Sequence, residues 1–390
     1  MTSKERTPRV LCYGFLGMGN VGNEASLTAF LNQLRAVQPQ ARVWCLGMGA
    51  EDVERRHGIP ARRLTTSRPG SSRVARLFAR LADIPRTWWL IGRADTVVVP
   101  GMGVFETSLG GSNPFGLAYW LAVVAVGARL RRRRLLLISV GADRSRPNPA
   151  TTFLFRHTLR LATYCSFRDE VSARAARKMA GTSLAVPVRP DLAFALPPPE
   201  CSGPRAPGRI VVGVMRFGPR DDPSVMGQYR AKLVRAISSL VHEGASIRLV
   251  IGDVADLPLA DEIADAVRSY CEVDEARVAV SHADNQNDLM AEMAGAEVVV
   301  ASRYHNVIAA LRVGVPVVSL GYAGKNAALL ERFGLAELDQ PIEEFDPDVL
   351  LRHIAEARAS SRSQLRRVLA QMQESLREQE LEIAPLLEST

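Results

Sequence analysis

Short apolar runs rich in β-branched residues alternate along the chain with stretches whose apolar residues recur at helical spacing. The first pattern is typical of buried strands of a parallel sheet, and the second of helices that cover such a sheet. Strands are predicted at residues 10–13, 42–46, 96–99, 135–140, 164–167, 210–215, 247–251, 278–280, 298–300 and 317–320. Helices of about 10–15 residues between them predict an α/β fold with parallel sheets.

The alternation stops once, between residues 196 and 208, where the sequence LPPPECSGPRAPG is rich in Pro and Gly and has no periodicity. Such a segment is typical of an interdomain linker. We therefore predict an N-terminal Rossmann-like domain over 1–195 and a second Rossmann-like domain over 209–345. A C-terminal helical segment over 346–390 begins at Asp346-Pro347, a favourable helix start, and is interrupted near Ser360-Ser361.

The segment from Val298 to Lys325 concentrates candidate chemistry at the ends of two predicted strands. Arg303 and His305 follow the first strand, and Lys325 follows the second. Ligands of open α/β sheets bind outside the carboxyl ends of the strands. An Arg fork and a Lys point charge suit a phosphate or a carboxylate. The alternative is a core unit with a solvated Arg and a structural His.

A glycine-rich loop follows the first predicted strand. Its Gly17, Gly19 and Gly22 have the spacing of the dinucleotide fingerprint. That fingerprint also needs an acidic residue at the end of the second strand, where this chain has Gly47-Met48-Gly49. The sequence therefore argues against nicotinamide binding. Glycines at this position still allow a helix N-terminus to approach a ligand closely.

Taken in order, these motifs resemble the polysaccharide pyruvyl transferase family over most of residues 10–335. The resemblance is carried by Arg-x-His followed by an apolar helix, Gly-x-Pro, a strand and Tyr-x-x-Lys. It is also carried by the opening Gly-x-Gly-Asn-x-Gly-Asn-Glu, in which Asn23 stands where the family has Asp. The remaining matches are the glycine-rich loop ending at Glu106, the Arg168-Asp169 motif and Pro190-Asp191.

The resemblance implies transfer of a pyruvyl group from phosphoenolpyruvate to a sugar as a ketal. It also implies two Rossmann-like domains facing across a cleft, the GT-B arrangement. His305 would be the acid, because histidine titrates near neutral pH. Glu24 or Glu106 would be the base. The predicted substrate-binding residues are Arg303, Lys325, Arg168, Arg216, Asn20, Asn23 and Tyr322. No cofactor or metal is expected, because the cations neutralise the phosphate and no ligand cluster appears.

Two other functions remain open at this stage. A nucleotide-sugar glycosyltransferase of the same fold would also use Arg and Lys in its C-terminal domain, to hold a diphosphate. A sugar-binding member without catalytic activity is the third interpretation, because Asn23 lacks the carboxylate of the family Asp.

Charge is unevenly distributed along the chain. Residues 1–200 hold 29 Lys and Arg against 13 Asp and Glu, whereas the remainder is net acidic. A basic half indicates an anionic partner. Nucleic acid is disfavoured, because no stacking aromatics are interleaved with the Arg run at 131–134. We expect a saccharide or a lipid-linked glycan as acceptor.

Residues 65–93 form a basic, Ser-rich segment that predicts an amphipathic helix with Val74, Leu77, Phe78 and Leu81 on one face, followed by Trp88-Trp89. Segments of this kind can lie in a membrane interface. A peripheral membrane contact is thus one hypothesis, and ordinary packing on the sheet is the alternative.

The cellular compartment is indicated by the cysteine pattern and by the absence of signal and membrane-spanning stretches in this sequence. The five cysteines are widely spread without metal-ligand spacing, as expected for free thiols in a reducing compartment. The N-terminus has no apolar signal core, and no stretch reaches about 18 apolar residues. We therefore expect a cytoplasmic protein, with or without a peripheral contact at the inner face of the membrane.

Overall fold

The computed structural model describes residues 6–67, 72–106, 116–143, 148–181, 186–200, 207–217 and 223–389, except for the side chains of Arg73, Arg76, Leu77 and Pro223. The predicted position of Leu77 on the helix face and part of the predicted linker, residues 201–206, therefore lie outside the described residues.

The first half of the chain alternates strands and helices as its pattern predicts. Its strands are β1 Arg9–Tyr13, β2 Arg42–Gly47, β3 Ala61–Arg63, β4 Thr96–Pro100, β5 Arg134–Val140 and β6 Tyr164–Phe167. Its helices are α1 Val21–Val37, α2 Ala50–His57, α3 Arg73–Gly92, α4 Leu117–Leu130, α5 Pro149–Leu161 and α6 Glu170–Ala180.

The second half repeats this alternation. Its strands are β7 Arg209–Gly213, β8 Ser246–Val250, β9 Val278–Val280, β10 Val298–Ala301, β11 Val317–Gly321 and β12 Asp339–Pro341. Its helices are α7 Pro223–His242, α8 Leu257–Cys271, α9 Gln286–Ala294, α10 Tyr304–Arg312, α11 Gly324–Arg332, α12 Pro347–Ala359 and α13 Arg362–Ile383.

Each half forms a parallel six-stranded sheet, and the two sheets have equivalent strand orders. The first sheet runs β3-β2-β1-β4-β5-β6, and the second runs β9-β8-β7-β10-β11-β12. The strand order therefore reverses between β1 and β4 in the first sheet and between β7 and β10 in the second. In folds of this kind the ligand binds outside the carboxyl ends of the strands at this switch point. The predicted α/β class with two Rossmann-like halves is confirmed.

Two compact units result, and their limits differ from the predicted domains. The first comprises residues 1–18, 26–195 and 374–390, and the second comprises 19–25 and 196–373. The predicted C-terminal segment 346–390 is thus not separate, because the division falls inside α13. The glycine-rich segment at 19–25 belongs to the second unit, although we predicted it within the first domain.

The end of α13 joins the first unit because its polar side chains meet partners from β5 and β6. The Gln379 carbonyl oxygen accepts a hydrogen bond from Ser139 Oγ at 3.1 Å, and its amide donates to Ser166 Oγ at 2.6 Å. Gln379 is 1% exposed. Arg189 forms ion pairs with Glu378 and Glu382. Because the carbonyl oxygen and the nitrogen of this buried amide are both hydrogen-bonded, Gln379 fixes the helix in a single register.

No helix in the described part of the chain is long and apolar enough to cross a bilayer.

Candidate functional site

Arg303 lies at the switch point of the second sheet, directly after β10. It caps the N-terminus of α10 with an extended backbone, so its side chain starts from the carboxyl edge of the sheet. Its Nε and Nη2 both donate to the carboxylate of Asp256, the latter at 2.8 Å. Because this fork uses two nitrogens, Nη1 is not part of the ion pair. Asp256 is fully buried, and the Arg303 side chain is 19% exposed.

Asp256 fixes two parts of this edge at once. Besides Arg303, its Oδ1 accepts the backbone N–H of Arg216 at 2.9 Å. Burial alone would lower the pKa of Arg303, but the hydrogen bonds and charge of Asp256 outweigh it, and the pKa stands above its ordinary value. Arg303 is thus a permanent cation of fixed orientation. Sequence reasoning missed Asp256; its signal was a second acid three residues after Asp253 beyond β8.

His305 occupies the first turn of α10 and packs against a glycine from the start of the chain. A Cβ placed on Gly22 would lie 1.9 Å from His305 Nδ1, so only a residue without a side chain fits here. The His305 carbonyl accepts from the side-chain amide of Gln286 at 3.0 Å. Gly22 therefore limits the position of the His305 ring, and Gln286 fixes the backbone of the same residue.

The segment Gly19–Ala25 is attached to the second unit by its backbone. Val21 N–H donates to the Gly252 carbonyl at 3.1 Å, and Asn20 forms a bridge with Asp253. The Asn20 side chain accepts the N–H of Asn23 at 3.2 Å, which caps α1. The Asn20 side-chain amide also donates to Asp253 Oδ2 at 3.4 Å, and Asn23 and Glu24 lie in the first turn of α1. Glu24 is 3% exposed.

Lys325 lies in the first turn of α11, beside two aromatic rings. Its Nζ is 4.9 Å from the ring centroid of Tyr322 and 5.5 Å from that of Tyr304. Tyr304 in turn meets the His305 ring edge-on, with 5.5 Å between centroids. Tyr322 is also close enough to Arg303 to influence its pKa. The structure therefore groups Arg303, His305, Lys325 and Tyr322 in one unit, with exposed Arg216 at the end of β7.

A buried amide lies beneath this group. Asn306 is fully buried, and neither its amide nitrogen nor its carbonyl oxygen has a hydrogen-bond partner among the described residues. The amide approaches the backbones of Gly213 and Gly252, at the ends of β7 and β8. An unsatisfied buried polar group costs about 1–3 kcal/mol. A buried polar group without a protein partner is a position where a water or a ligand can supply the missing hydrogen bonds.

Arg168, which we predicted to bind the substrate, is enclosed by acidic side chains of the protein. It follows β6 in the first unit, and its side chain is 3% exposed. Its guanidinium pairs with Glu106 and, at 3.2 Å, with fully buried Asp191. Asp169, the third acid nearby, caps α6 by accepting a hydrogen bond from the N–H of Ser172 at 2.6 Å. Because carboxylates of the protein surround it, Arg168 is not the open anion clamp that the sequence suggested, and Glu106 is its ion-pair partner.

The first unit has a cavity of its own at the carboxyl edge of β1, β2 and β3. It has a volume of about 220 Å³. Most of its lining is apolar, with one cation, Arg80. The lining residues are Phe15, Met48, Thr65, Ser67, Arg80, Gly116, Leu117 and Trp120. The cavity lies at the sheet edge where ligands of α/β folds bind, and it is smaller than the roughly 300–1,000 Å³ of most ligand pockets.

Within the described ranges, no three His, Cys, Asp or Glu side chains are arranged to hold a metal ion. Among the described residues, the cations at the second sheet edge are Arg303, Lys325 and Arg216.

Solved structures that resemble this chain define its class. UDP-GlcNAc 2-epimerase from Methanocaldococcus jannaschii aligns with a TM-score of 0.60 at 9% identity, over 92% of this chain and 94% of that one. UDP-GlcNAc 2-epimerase from Neisseria meningitidis, bound to UDP-GlcNAc, aligns with a TM-score of 0.58 at 13% identity, over 95% of this chain and 100% of that one. MurG from Acinetobacter baumannii aligns with a TM-score of 0.53 at 15% identity, over 94% of this chain and 95% of that one. The protein therefore has the GT-B fold.

Sequence identifies the family within that class. The family model for polysaccharide pyruvyl transferase matches residues 20–324, well over half of the chain. The protein belongs to this family, as its motifs indicated, and is thus a transferase by family. No curated protein sequence matches the chain.

Proposed function

We propose that the protein transfers the pyruvyl group of phosphoenolpyruvate to two hydroxyl groups of a saccharide or glycoconjugate. In this reaction C2 of the donor forms two C–O bonds to the acceptor, and its bond to the phosphate oxygen breaks. One hydroxyl proton is delivered to C3, and the other leaves with the phosphate. Family membership supports the class of reaction, and the geometry of the second sheet edge supports the roles below.

The observation that carries the proposal is the group formed by Arg303, His305 and Lys325 in one unit. A donor with a phosphate and a carboxylate needs two cations, and Arg303 is pre-oriented by Asp256. Lys325, flanked by two aromatic rings, supplies the second. His305 is the group we assign to protonate C3 or the departing phosphate. Arg216 and Tyr322 complete the donor side.

For the base we favour Glu24 over Glu106. Glu24 lies two residues after Gly22, in the turn that packs on His305. Glu106 is engaged by Arg168. Asn23, where the family has Asp, leaves Glu24 as the carboxylate of that turn. Arg168 then stabilises the first unit instead of binding the donor.

We place the saccharide acceptor at the cavity of the first unit, where Thr65 and Ser67 offer hydroxyls and Trp120 an aromatic ring. A lipid-linked glycan is included in this proposal, since Arg80 can meet a phosphate there. We further propose a cytoplasmic location with a peripheral contact at the inner face of the membrane, and no cofactor or metal beyond the donor.

The test compares donors. Phosphate release from phosphoenolpyruvate and UDP release from UDP-sugars are measured with and without a panel of saccharide acceptors, and products are examined for an added pyruvyl ketal by mass spectrometry. We expect acceptor-dependent phosphate release. UDP release instead would identify a nucleotide-sugar glycosyltransferase, and donor binding without turnover would identify a non-catalytic member.

His305→Ala should lower turnover about 10²–10⁴-fold while the protein remains folded, because it removes the proposed general acid. His282→Ala, at an exposed position of the same unit, is the matched control and should leave turnover unchanged. Equal turnover of both variants would remove His305 from the proposed mechanism.

A further inference from the structure

Helix α3 presents an apolar face to solvent. Val74, Phe78, Leu81 and Trp89 are each at least half exposed, with relative exposures of 64%, 66%, 56% and 50%. Pro85, also exposed, completes a series spaced by three or four residues, so these side chains lie on one side of the helix. A surface helix of a water-soluble domain normally turns such a face inward.

The orientation of α3 is fixed by its opposite side. Asp83, which is fully buried, accepts the N–H of Thr66 at 2.9 Å. Arg86 donates to the Leu64 carbonyl at 3.0 Å, and Trp88 Nε1 donates to the Val123 carbonyl at 2.9 Å. Because its polar groups are bonded inward, α3 cannot roll to hide its apolar face without breaking these bonds.

Helix α4 also exposes apolar side chains, close to the C-terminal end of α3. The Trp88 ring packs on Gly127, and Arg131 lies beside Gly92, so the C-terminal ends of the two helices adjoin. Val126 and Leu130 of α4 are exposed there. We call the exposed side chains Val74, Phe78, Leu81, Pro85, Trp89, Val126 and Leu130 the α3–α4 face.

Arginines border this face at its C-terminal end. Arg93 stacks on Trp89, with 3.5 Å between the guanidinium carbon and the ring centroid. Arg129, Arg131 and Arg132 are exposed at the end of α4. Asp83, the single acid in α3, is buried on the inner side, so the described residues of the face carry no exposed carboxylate.

We propose that the α3–α4 face binds the surface of an anionic phospholipid bilayer. Its apolar side chains would enter the boundary between headgroups and acyl chains, and its arginines would pair with headgroup phosphates. Trp89, with a ring that is half exposed beneath an arginine, has the position favoured by tryptophan at such interfaces. The excess of positive charge in residues 1–200 acts in the same direction.

Charge also favours lipid over a second copy of the chain. A two-fold symmetric dimer through this face would bring Arg93, Arg129 and Arg131 of both copies into one interface with no carboxylate of the face to pair with them. Anionic headgroups supply the missing negative charge. This inference does not depend on the proposed transfer reaction, and it is tested without measuring turnover.

The experiment uses sedimentation of the full-length protein with vesicles of phosphatidylcholine alone or mixed equally with phosphatidylglycerol. We expect binding to the mixed vesicles that weakens with added salt. The double variant Phe78→Ser/Leu81→Ser should bind at least about tenfold more weakly, because two apolar side chains no longer enter the bilayer. The matched control Tyr270→Ser/Leu381→Ser changes two apolar positions elsewhere that are more exposed, at 72% and 76%, and it should bind like the wild type.

Two further variants, one that changes charge and one that removes a tryptophan, test the same proposal. They do not depend on whether the Phe78→Ser/Leu81→Ser variant folds. Arg129→Gln/Arg131→Gln should lose binding to the mixed vesicles, and Trp89→Phe should remove the blue shift of tryptophan emission on binding. Equal binding by Phe78→Ser/Leu81→Ser and its control would overturn the proposal. So would a wild-type dimer that the same double variant converts to monomer.

Discussion

Two arginines at strand ends, one in each unit, have opposite surroundings. Arg168 follows β6 and is closed in by Glu106 and Asp191, with a side chain that is 3% exposed. Arg303 follows β10 and is ion-paired with one carboxylate, Asp256, with Asp253 also close enough to raise its pKa, while His305 and Lys325 share its sheet edge. The first cation is more than neutralised by the acids that pair with it, whereas the second is paired with a single acid. The motif alone does not distinguish a structural from an anion-binding arginine; the number of buried acids around it does.

The largest expected effect concerns Arg168. Arg168→Met leaves Glu106 and Asp191 without their cation in a buried site, which should lower the free energy of unfolding of the first unit by about 3–5 kcal/mol. All four tryptophans, Trp44, Trp88, Trp89 and Trp120, belong to that unit, so tryptophan fluorescence in a urea titration reports it selectively. Arg174→Met, at an exposed helical position, is the control. An unchanged transition with loss of donor binding would contradict the structural role.

Arg303→Lys tests the other side of the comparison. The substitution keeps the charge but loses the planar guanidinium that Asp256 orients. Turnover should therefore fall about 10²–10³-fold, as it does when an enzyme loses an oriented hydrogen-bond donor. The fluorescence transition of the first unit should not move. Arg332→Lys, exposed on α11, should have no effect on turnover. Equal turnover by both variants would show that Arg303 is not used as an oriented fork.

Gly22→Ala changes the second unit's site without changing any charge. Its Cβ would overlap the His305 ring, and displacement of a reacting group by about 1 Å can cost about 10²-fold in rate. Gly227→Ala, where an added Cβ meets nothing within 4 Å, is the matched control. Turnover measured under saturating donor should separate the two variants, and equal rates would mean that the His305 ring position is not critical.

The smallest effect concerns another closed pair of the first unit. Arg9 makes three hydrogen bonds to buried Asp95. Burial alone would raise the pKa of Asp95, but Arg9 outweighs it and the pKa lies below the ordinary value. Because the folded pKa is lower than the unfolded one, this stabilisation is complete above the unfolded pKa and is lost as pH falls through the folded pKa. Asp95→Asn should cost about 1–3 kcal/mol at neutral pH and reduce the acid sensitivity of the fluorescence transition; an unchanged pH profile would contradict this.

The sequence predicted most strands and helices because buried parallel strands are continuous apolar runs. It missed β3 and β12, which lie at sheet edges and are defined by pairing with a neighbour, not by an apolar pattern. The first turn of α1, which starts at Val21, is part of the glycine-rich segment and resembles a loop in the sequence until the Asn20 cap is seen.

The sequence could predict which side chains lie together within a motif, but not which side chains meet between motifs. Arg303, His305, Lys325 and Tyr322 lie within one short stretch of chain, so local spacing was enough to bring them together. The partners of Arg168 and the contact of Gly22 with His305 come from distant parts of the chain and arise only on folding. The sequence therefore showed that Arg168 is a cation, but it could not show that acidic side chains neutralise it in the folded protein.

The exchange of short segments between the units has a consequence for any attempt to dissect the chain. Residues 19–25 complete the second unit, and residues 374–390 complete the first. Cutting the chain at the linker would therefore leave each fragment without a segment that belongs to its own unit.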